Sequence, residues 1–262
     1  MTGNATVDIH PTAIIHKDAK LAQDVQVGPY SIISQNAEIG PGTEIGSHVL
    51  IDAETIIGKD CRIHHGAVLG TLPQDLKFKG EKTHVTVGDG TVIREYATIN
   101  RGTEYRGKTI VGNDCFIMIY AHLAHDCLLG DNVILANSVN VGGHVEIGDW
   151  AIIGGVVPVH QFVKIGAHCI IGGGFRVQQD VCPYSMAAGY PLKIMGLNKI
   201  GLKRRGFSEK TLRILERTFR ILFKSGLNTT QAVEKVKAEV EPIPEVQNIL
   251  DFIAASERGI IK

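Results

Sequence analysis

No stretch of this 262-residue chain is apolar for the roughly 20 residues that a membrane-crossing helix takes, so no transmembrane segment is expected. Charge of one sign is also missing. Lys and Arg number 27, as do Asp and Glu, and a formal net charge of zero gives no global field to hold DNA or RNA. The five cysteines are odd in number, show no CxxC spacing and follow no signal-peptide pattern. That argues against a disulfide framework and points to a reducing cytoplasm.

What the chain does have is a period of six. From Ile9 to Val177 every sixth residue falls on one ladder, and 26 of its 29 rungs are Ile, Leu or Val; only Asp75, Glu81 and Tyr105 miss. Neither a helix of period 3.6 nor an alternating strand produces that spacing. A short fixed period over most of a chain means a solenoid, here a β-helix of hexapeptides. Four places after each rung the residue is small, as at Ala37, Thr43, Ala67, Ala97 and Ala121, and just after the rung it is often Gly, as at Gly28, Gly40, Gly112 and Gly148. The large and the small residue are expected to point inward, with glycine taking the corner for its conformational freedom. Three such sides close a triangular coil of about 18 residues, stacked at about 4.8 Å. Cys61, Cys115, Cys127 and Cys169 occupy the small inward slot, which reads as packing.

The ladder is interrupted at 71–84 and at 104–108, and resumes in frame each time. Such insertions are loops thrown out from a corner, and in solenoids these often build the binding face. After Pro183 the period ends. Residues 184–201 read as an irregular connector, followed by a three-helix cap: one helix from Ser208 to Gly226 with Leu212, Leu215, Phe219, Leu222 and Phe223 on one face, a second from about Asn228, and a third over about 245–256. The expected organisation is therefore a mainly β chain, with a coil domain over 1–183 and a connector plus helical domain over 184–262.

Of eleven histidines, His122, His125, His144 and His160 lie within 39 residues of the rigid frame, all at outward or corner positions. At 18 residues per coil, His144 stands over Asp126 and Gly143 over His125. A His oriented by a carboxylate suits general-base work at neutral pH, and the Gly142-Gly143 pair offers backbone N–H groups of the kind that stabilise an oxyanion. A basic run, Lys203, Arg204 and Arg205, continues into Arg213, Arg217 and Arg220 on one helix face, which is either a solvated surface or a dock for an anionic partner.

Several segments carry a resemblance: Pro73-Gln-Asp-Leu-Lys77, Ile99-Asn-Arg-Gly-Thr103, Ala121-His-Leu-Ala-His-Asp-Cys127, Gly142-Gly-His144, Val159-His-Gln-Phe162 and Gly201-Leu-Lys-Arg-Arg-Gly-Phe207. With them the chain resembles, over its whole length, the acyl-carrier-protein-dependent UDP-N-acetylglucosamine O-acyltransferases of lipid A biosynthesis. The resemblance implies a homotrimer of left-handed parallel β-helices with sites between subunits. It implies His125 as the base on the sugar 3-hydroxyl, Asp126 as its orienter and the Gly143 N–H as oxyanion donor. The donor would be a 3-hydroxyacyl group on the phosphopantetheine of acyl carrier protein, with no other cofactor and no metal. It further implies that Asp75 and Lys77, with Gln74 beside them, touch substrate, as do His122, His144, His160 and Gln161. Gly173 would floor the acyl pocket, and Asn198, Arg204 and Arg205 would serve the nucleotide and carrier. This chain departs from that pattern at Ile200, where an acidic residue is usual, and at Pro191, where a His is usual. Phe175, an oversized occupant of a small slot, qualifies the reading of Gly173. A zinc-dependent hydratase on the same repeat, or a sugar N-acyltransferase, stays open as an alternative.

Overall fold

The computed structural model describes residues 8–262; residues 1–7, part of the expected coil domain 1–183, lie outside the described residues. From Asp8 to Ile171 the chain is a succession of strands of two to four residues, and every third one pairs in parallel. Asp8–Ile9 heads the first sheet, Ile14–Ile15 the second and Lys20–Leu21 the third. In regular coils the register steps by 18 residues, so Ile15 lies beside Ile33 and Ile33 beside Ile51. The result is a three-sided, left-handed parallel β-helix.

The rungs form its core: Ile33, Ile51, Leu69, Ile99, Leu123 and Leu135 are all 1% exposed or less. The small slot is buried as well, and several hydroxyls and thiols there find a carbonyl. Ser31 Oγ donates to the Gly46 carbonyl at 2.7 Å, Thr43 Oγ1 to Gly58 at 2.9 Å and Cys127 Sγ to Gly142 at 3.1 Å. A buried polar group so satisfied costs little. All five cysteines are free and buried. Burial pushes the thiols of Cys115 and Cys127 up to about 11 and about 12, which leaves them unreactive.

The corners depart from expectation. The glycine after the rung is not there for a left-handed backbone; that conformation falls two residues later, at Asp24, Tyr30, Asn36, Asp126, His144 and Phe162 among others, with φ between 56° and 63°. The glycine is there because the next coil's backbone passes too close for a side chain. A Cβ on Gly40 would stand 2.5 Å from the Gly58 carbonyl carbon and 2.8 Å from the Lys59 nitrogen.

Both insertions leave the coil at the same edge, where the second sheet turns into the third. One lies between the strands Val68–Thr71 and His84–Val87, the other between Thr98–Asn100 and Lys108–Val111. Leu69 consequently pairs with Ile99 and Ile99 with Leu123, and the core closes over both loops unbroken.

The connector is more regular than the sequence reading had it. Ser185–Ala188 and Lys193–Leu197 form an antiparallel hairpin, with Ala187 beside Ile171 of the last coil. Ser185 and Ala187 are fully buried and Met186 is 43% exposed, a period of two that a search for six passes over. The hairpin covers the open edge of the first sheet, which would otherwise present unpaired backbone groups. Four helices follow rather than three: α1 (Lys199–Arg204), α2 (Glu209–Lys224), α3 (Thr229–Glu239) and α4 (Pro244–Ala254). Six residues containing a glycine gave α1 no periodic signature. Ser208 caps α2 and Asn228 caps α3 through a reciprocal capping box, as their residue types favour.

Gly40→Ala should lower stability by about 1–3 kcal/mol, because backbone on the next coil has no rotamer with which to give way. Urea unfolding of both proteins measures it, and equal midpoints would show that the corner has room.

Candidate active site

Stacked coils place like corner positions above one another. At the edge where the second sheet meets the third, His125, Gly143 and Gln161 occupy one row, and Asp126, His144 and Phe162 the next; the His144 N–H donates to the His125 carbonyl at 3.0 Å and that of Phe162 to Gly143 at 3.0 Å. Adjacent residues on a strand face opposite ways. The left-handed backbone at Asp126 (φ 60°) turns the chain so that neighbours meet instead: His125 Nδ1 lies 2.9 Å from Asp126 Oδ2. The imidazole rests on Gly143, where a Cβ would come within 2.7 Å of its Cε1 and 2.8 Å of its Nε2. Only glycine leaves that space.

Asp126 is completely buried, and its carboxylate is held from the second loop. Oδ1 accepts from the backbone N–H groups of Thr103 (3.0 Å) and Arg106 (3.2 Å); Oδ2 accepts from the Thr103 hydroxyl (2.6 Å) as well as from His125. Burial by itself would raise this carboxyl, but the bonds from His125 and Thr103 outweigh it and hold it below the usual carboxylate range. With Nδ1 donating to Asp126, Nε2 of His125 carries the lone pair and is the proton acceptor.

The other histidines gather round. His122, on the outer face of the second sheet, is 2.7 Å from the Thr98 hydroxyl. Burial, then the neighbouring His125, hold it below its ordinary value. His144 stacks flat on Phe162, with centroids 4.2 Å apart, and meets Tyr105 edge-on at 4.5 Å. Its Nδ1 is buried without a hydrogen bond, 3.7 Å from Asp126 Oδ2. Burial lowers His144 and overrides the upward pull of Asp126. His160 and the exposed Gln161 lie one coil further on, His160 Nδ1 3.0 Å from the Gln161 carbonyl. In the first loop Asp75 is near enough for its charge to act on His144, and it accepts from the Lys77 N–H at 2.9 Å, while Gln74 and Lys77 are exposed.

The remaining expected site residues lie on other edges of the prism. Gly173 is exposed where the first sheet turns into the second, with Phe175 lying over Gly172 beside it. Where the third sheet turns into the first, Arg205 sits 5.2 Å from the centre of the Trp150 ring and 3.4 Å from His168 Nδ1. Asn198 is buried there: its amide donates to the His168 carbonyl and its oxygen accepts from Gly201 N–H at the start of α1. Arg204 is exposed. Pro191 lies in the hairpin turn and Ile200, at the start of α1, is 70% exposed. On α2, Arg217 pairs with Glu239, while Lys210 pairs with Glu241. One protomer thus does not bring all the expected residues into one cleft.

Sequence reasoning missed Thr103, Tyr105 and Arg106, and the fastening of the first loop by Asn100 and Arg101. Asn100 Nδ2 donates to Thr71 Oγ1 (2.9 Å), and Arg101 Nε to the Gly70 carbonyl (2.7 Å) with its guanidinium 3.3 Å from Asp52. The interrupted ladder marked the loops but carried no sign of which residue bonds back to the coil.

His125, Asp126 and His144 have ligand atoms within 4.8 Å of one another, as a metal would need. The four donors to Asp126 argue against that use, because each of its oxygens already spends two lone pairs.

The family described as UDP N-acetylglucosamine O-acyltransferase, domain 2, matches residues 180–261, and that described as bacterial transferase hexapeptide (six repeats) matches residues 108–143. A Chlorobaculum parvum protein named acyl-[acyl-carrier-protein]–UDP-N-acetylglucosamine O-acyltransferase is 54% identical over 252 residues, 96% of each chain. One of the same name from Thermodesulfovibrio yellowstonii is 47% identical over 256 residues, 97% of this chain and 99% of the relative. A crystal structure of a UDP-N-acetylglucosamine acyltransferase from Bacteroides fragilis superposes with a TM-score of 0.95 at 44% identity, covering 97% of this chain and 99% of that one.

Near Arg205, burial first and the guanidinium second push His168 down to about 4. A base depressed in the folded state stabilises fully above its unfolded value of 6.5 and loses that contribution as pH falls towards 4. His168→Phe, which keeps a ring against Trp150 and Tyr184, should flatten the fall in stability between those two values. Denaturant midpoints across the interval measure this, and parallel curves for the two proteins would refute it.

Proposed function

The chain belongs to the UDP-N-acetylglucosamine O-acyltransferases that transfer an acyl chain from acyl carrier protein in lipid A biosynthesis, and we propose that His125 is the general base of that transfer. The observation that carries the reading is the His125–Asp126 pair packed on Gly143, with Nε2 free and donors in place around Asp126. Nε2 takes the proton of the sugar 3-hydroxyl as that oxygen attacks the carbonyl carbon of the 3-hydroxyacyl thioester. The Gly143 N–H, which enters no backbone hydrogen bond, faces the oxyanion of the tetrahedral intermediate. As the intermediate collapses, the C–S bond breaks and the phosphopantetheine thiol leaves with the proton that His125 had taken. The thioester supplies the activated acyl group, so the reaction calls on no resident cofactor or metal. Asp126 stays ionised, orienting the ring and stabilising the imidazolium.

The enzyme acts in this reading as a homotrimer. The residues matched to the acyl chain, to the nucleotide and to the base lie on three different edges of one prism, and neighbouring protomers are what would bring edges together. An exposed apolar row supports self-association: Tyr30, Tyr96, Tyr120 and Val156 are 44–67% exposed along the edge that ends at Gly173. Arg204 and Arg205 would then serve diphosphate or carrier across a subunit boundary, with His122, His144, His160, Gln161, Asp75, Lys77 and Gln74 lining the sugar and acyl path. The compartment is the reducing cytoplasm, consistent with five free, buried thiols; among the described residues no helix is long and apolar enough to cross a membrane.

His125→Ala should cut kcat about 10²–10⁴-fold while the protein keeps its oligomeric mass and melting temperature. Ordinary turnover by that variant would overturn the assignment. Sedimentation of the wild-type protein checks the assembly: a mass of three chains is expected, and a persistent monomer with full activity would end the shared-site reading.

A further inference from the structure

We infer that Thr103 is a positioning residue for this reaction, acting through Asp126 on His125; the inference rests on His125 being the base. Thr103 is 8% exposed and stands in the second insertion, between the strands Thr98–Asn100 and Lys108–Val111, beside the corner residue Asp126. Its own N–H and hydroxyl both end on the Asp126 carboxylate, at 3.0 and 2.6 Å. The direction of the hydroxyl proton is set as well. Thr103 Oγ1 accepts the Tyr105 N–H at 3.3 Å, which leaves its proton for Asp126 Oδ2. That same Oδ2 is the atom that holds His125 Nδ1.

Two consequences follow. With one oxygen bound to two backbone N–H groups and the other to the Thr103 hydroxyl, the carboxylate has no freedom to rotate away from the imidazole, so His125 keeps one tautomer and one ring orientation. In addition, the hydroxyl shares the charge of Oδ2, so it tempers how strongly Asp126 favours the protonated ring. The groups facing His125 are Asp126, His122 and His144, with Arg106 and Asp75 acting on His144 from the two loops; Arg106 is itself paired with Glu146 at 2.7 Å. Of these groups Thr103 bonds Asp126 alone, so the loss of its hydroxyl reaches His125 through Oδ2. The second loop, on this view, is built to hold a carboxylate rather than to touch substrate with its tip alone.

The test is the pH dependence of kcat/KM for Thr103→Val, Thr103→Ser and His125→Ala, each first checked for oligomeric mass. Val keeps the shape and removes the hydroxyl; it should lower kcat about 10- to 100-fold, the worth of one hydrogen bond to a charged group. The KM for UDP-N-acetylglucosamine should stay within about twofold, and the acid limb of the profile should move to higher pH, because Oδ2 is left with more charge for the imidazolium. Ser, which retains the donor, should restore both the rate and the limb. A purely structural threonine would instead change the yield of folded protein or KM and leave the limb in place, and that result overturns the inference. So does a Val variant with wild-type kcat and profile while His125→Ala is inactive; active His125→Ala would overturn the base assignment itself. Should the Val variant fail to assemble, Thr103→Ala carries the same test without steric demand.

Discussion

The stacking of each coil on the next, at a fixed register, is the constraint on which the rest depends. Parallel pairing puts the rung of one coil beside the rung of the next, as Leu123 lies beside Val141 and Val141 beside Val159. A corner residue is therefore held over its counterpart a coil away. His125, Gly143 and Gln161 become neighbours without any side chain having to search for another. The glycines that follow the rungs belong to the same constraint: they are required by the closeness of the neighbouring backbone, so a narrow rise between coils is written into both the core and the corners.

Against this rigid frame the two insertions do different work. The first is fastened at its base by Asn100 and Arg101, which reach across from the coil above to Thr71 and Gly70. The second turns back and spends its Thr103 and Arg106 donors on one carboxylate. That carboxylate is buried yet ionised because the donors outweigh desolvation, and an ionised, immobile Asp126 is what makes an adjacent imidazole a directed base. The left-handed backbone at Asp126, costing roughly 1–2 kcal/mol for a residue with a side chain, is the corner conformation that Tyr30, His144 and Phe162 also adopt, and the stacking of the coils holds it.

Much of this was legible beforehand. The period of six identifies the coil, its breaks identify both loops, and the count of 18 puts Gly143 over His125. Other features were hidden for definite reasons. The hairpin over 185–197 alternates with period two in a stretch where six had just ended, and α1 is too short to show a face. The glycine rows were visible, but the reason for them was not, since a residue needed for its absent Cβ and one needed for its φ look alike in sequence. The grip of Thr103 and Arg106 on Asp126 spans 20 to 23 residues and follows no repeat.

Sequence by itself determined what is periodic: the sheets, the inward rows, the register and the juxtaposition of residues 18 apart, because in a solenoid distance along the chain converts directly into position in space. It also carried the family likeness. Tertiary structure alone decided what breaks the period: the way each loop folds back, which oxygens of Asp126 receive which donors, and the placing of Arg205 against Trp150 and His168. Those outcomes depend on the direction of individual hydrogen bonds between segments with no fixed spacing, and no repeat encodes them.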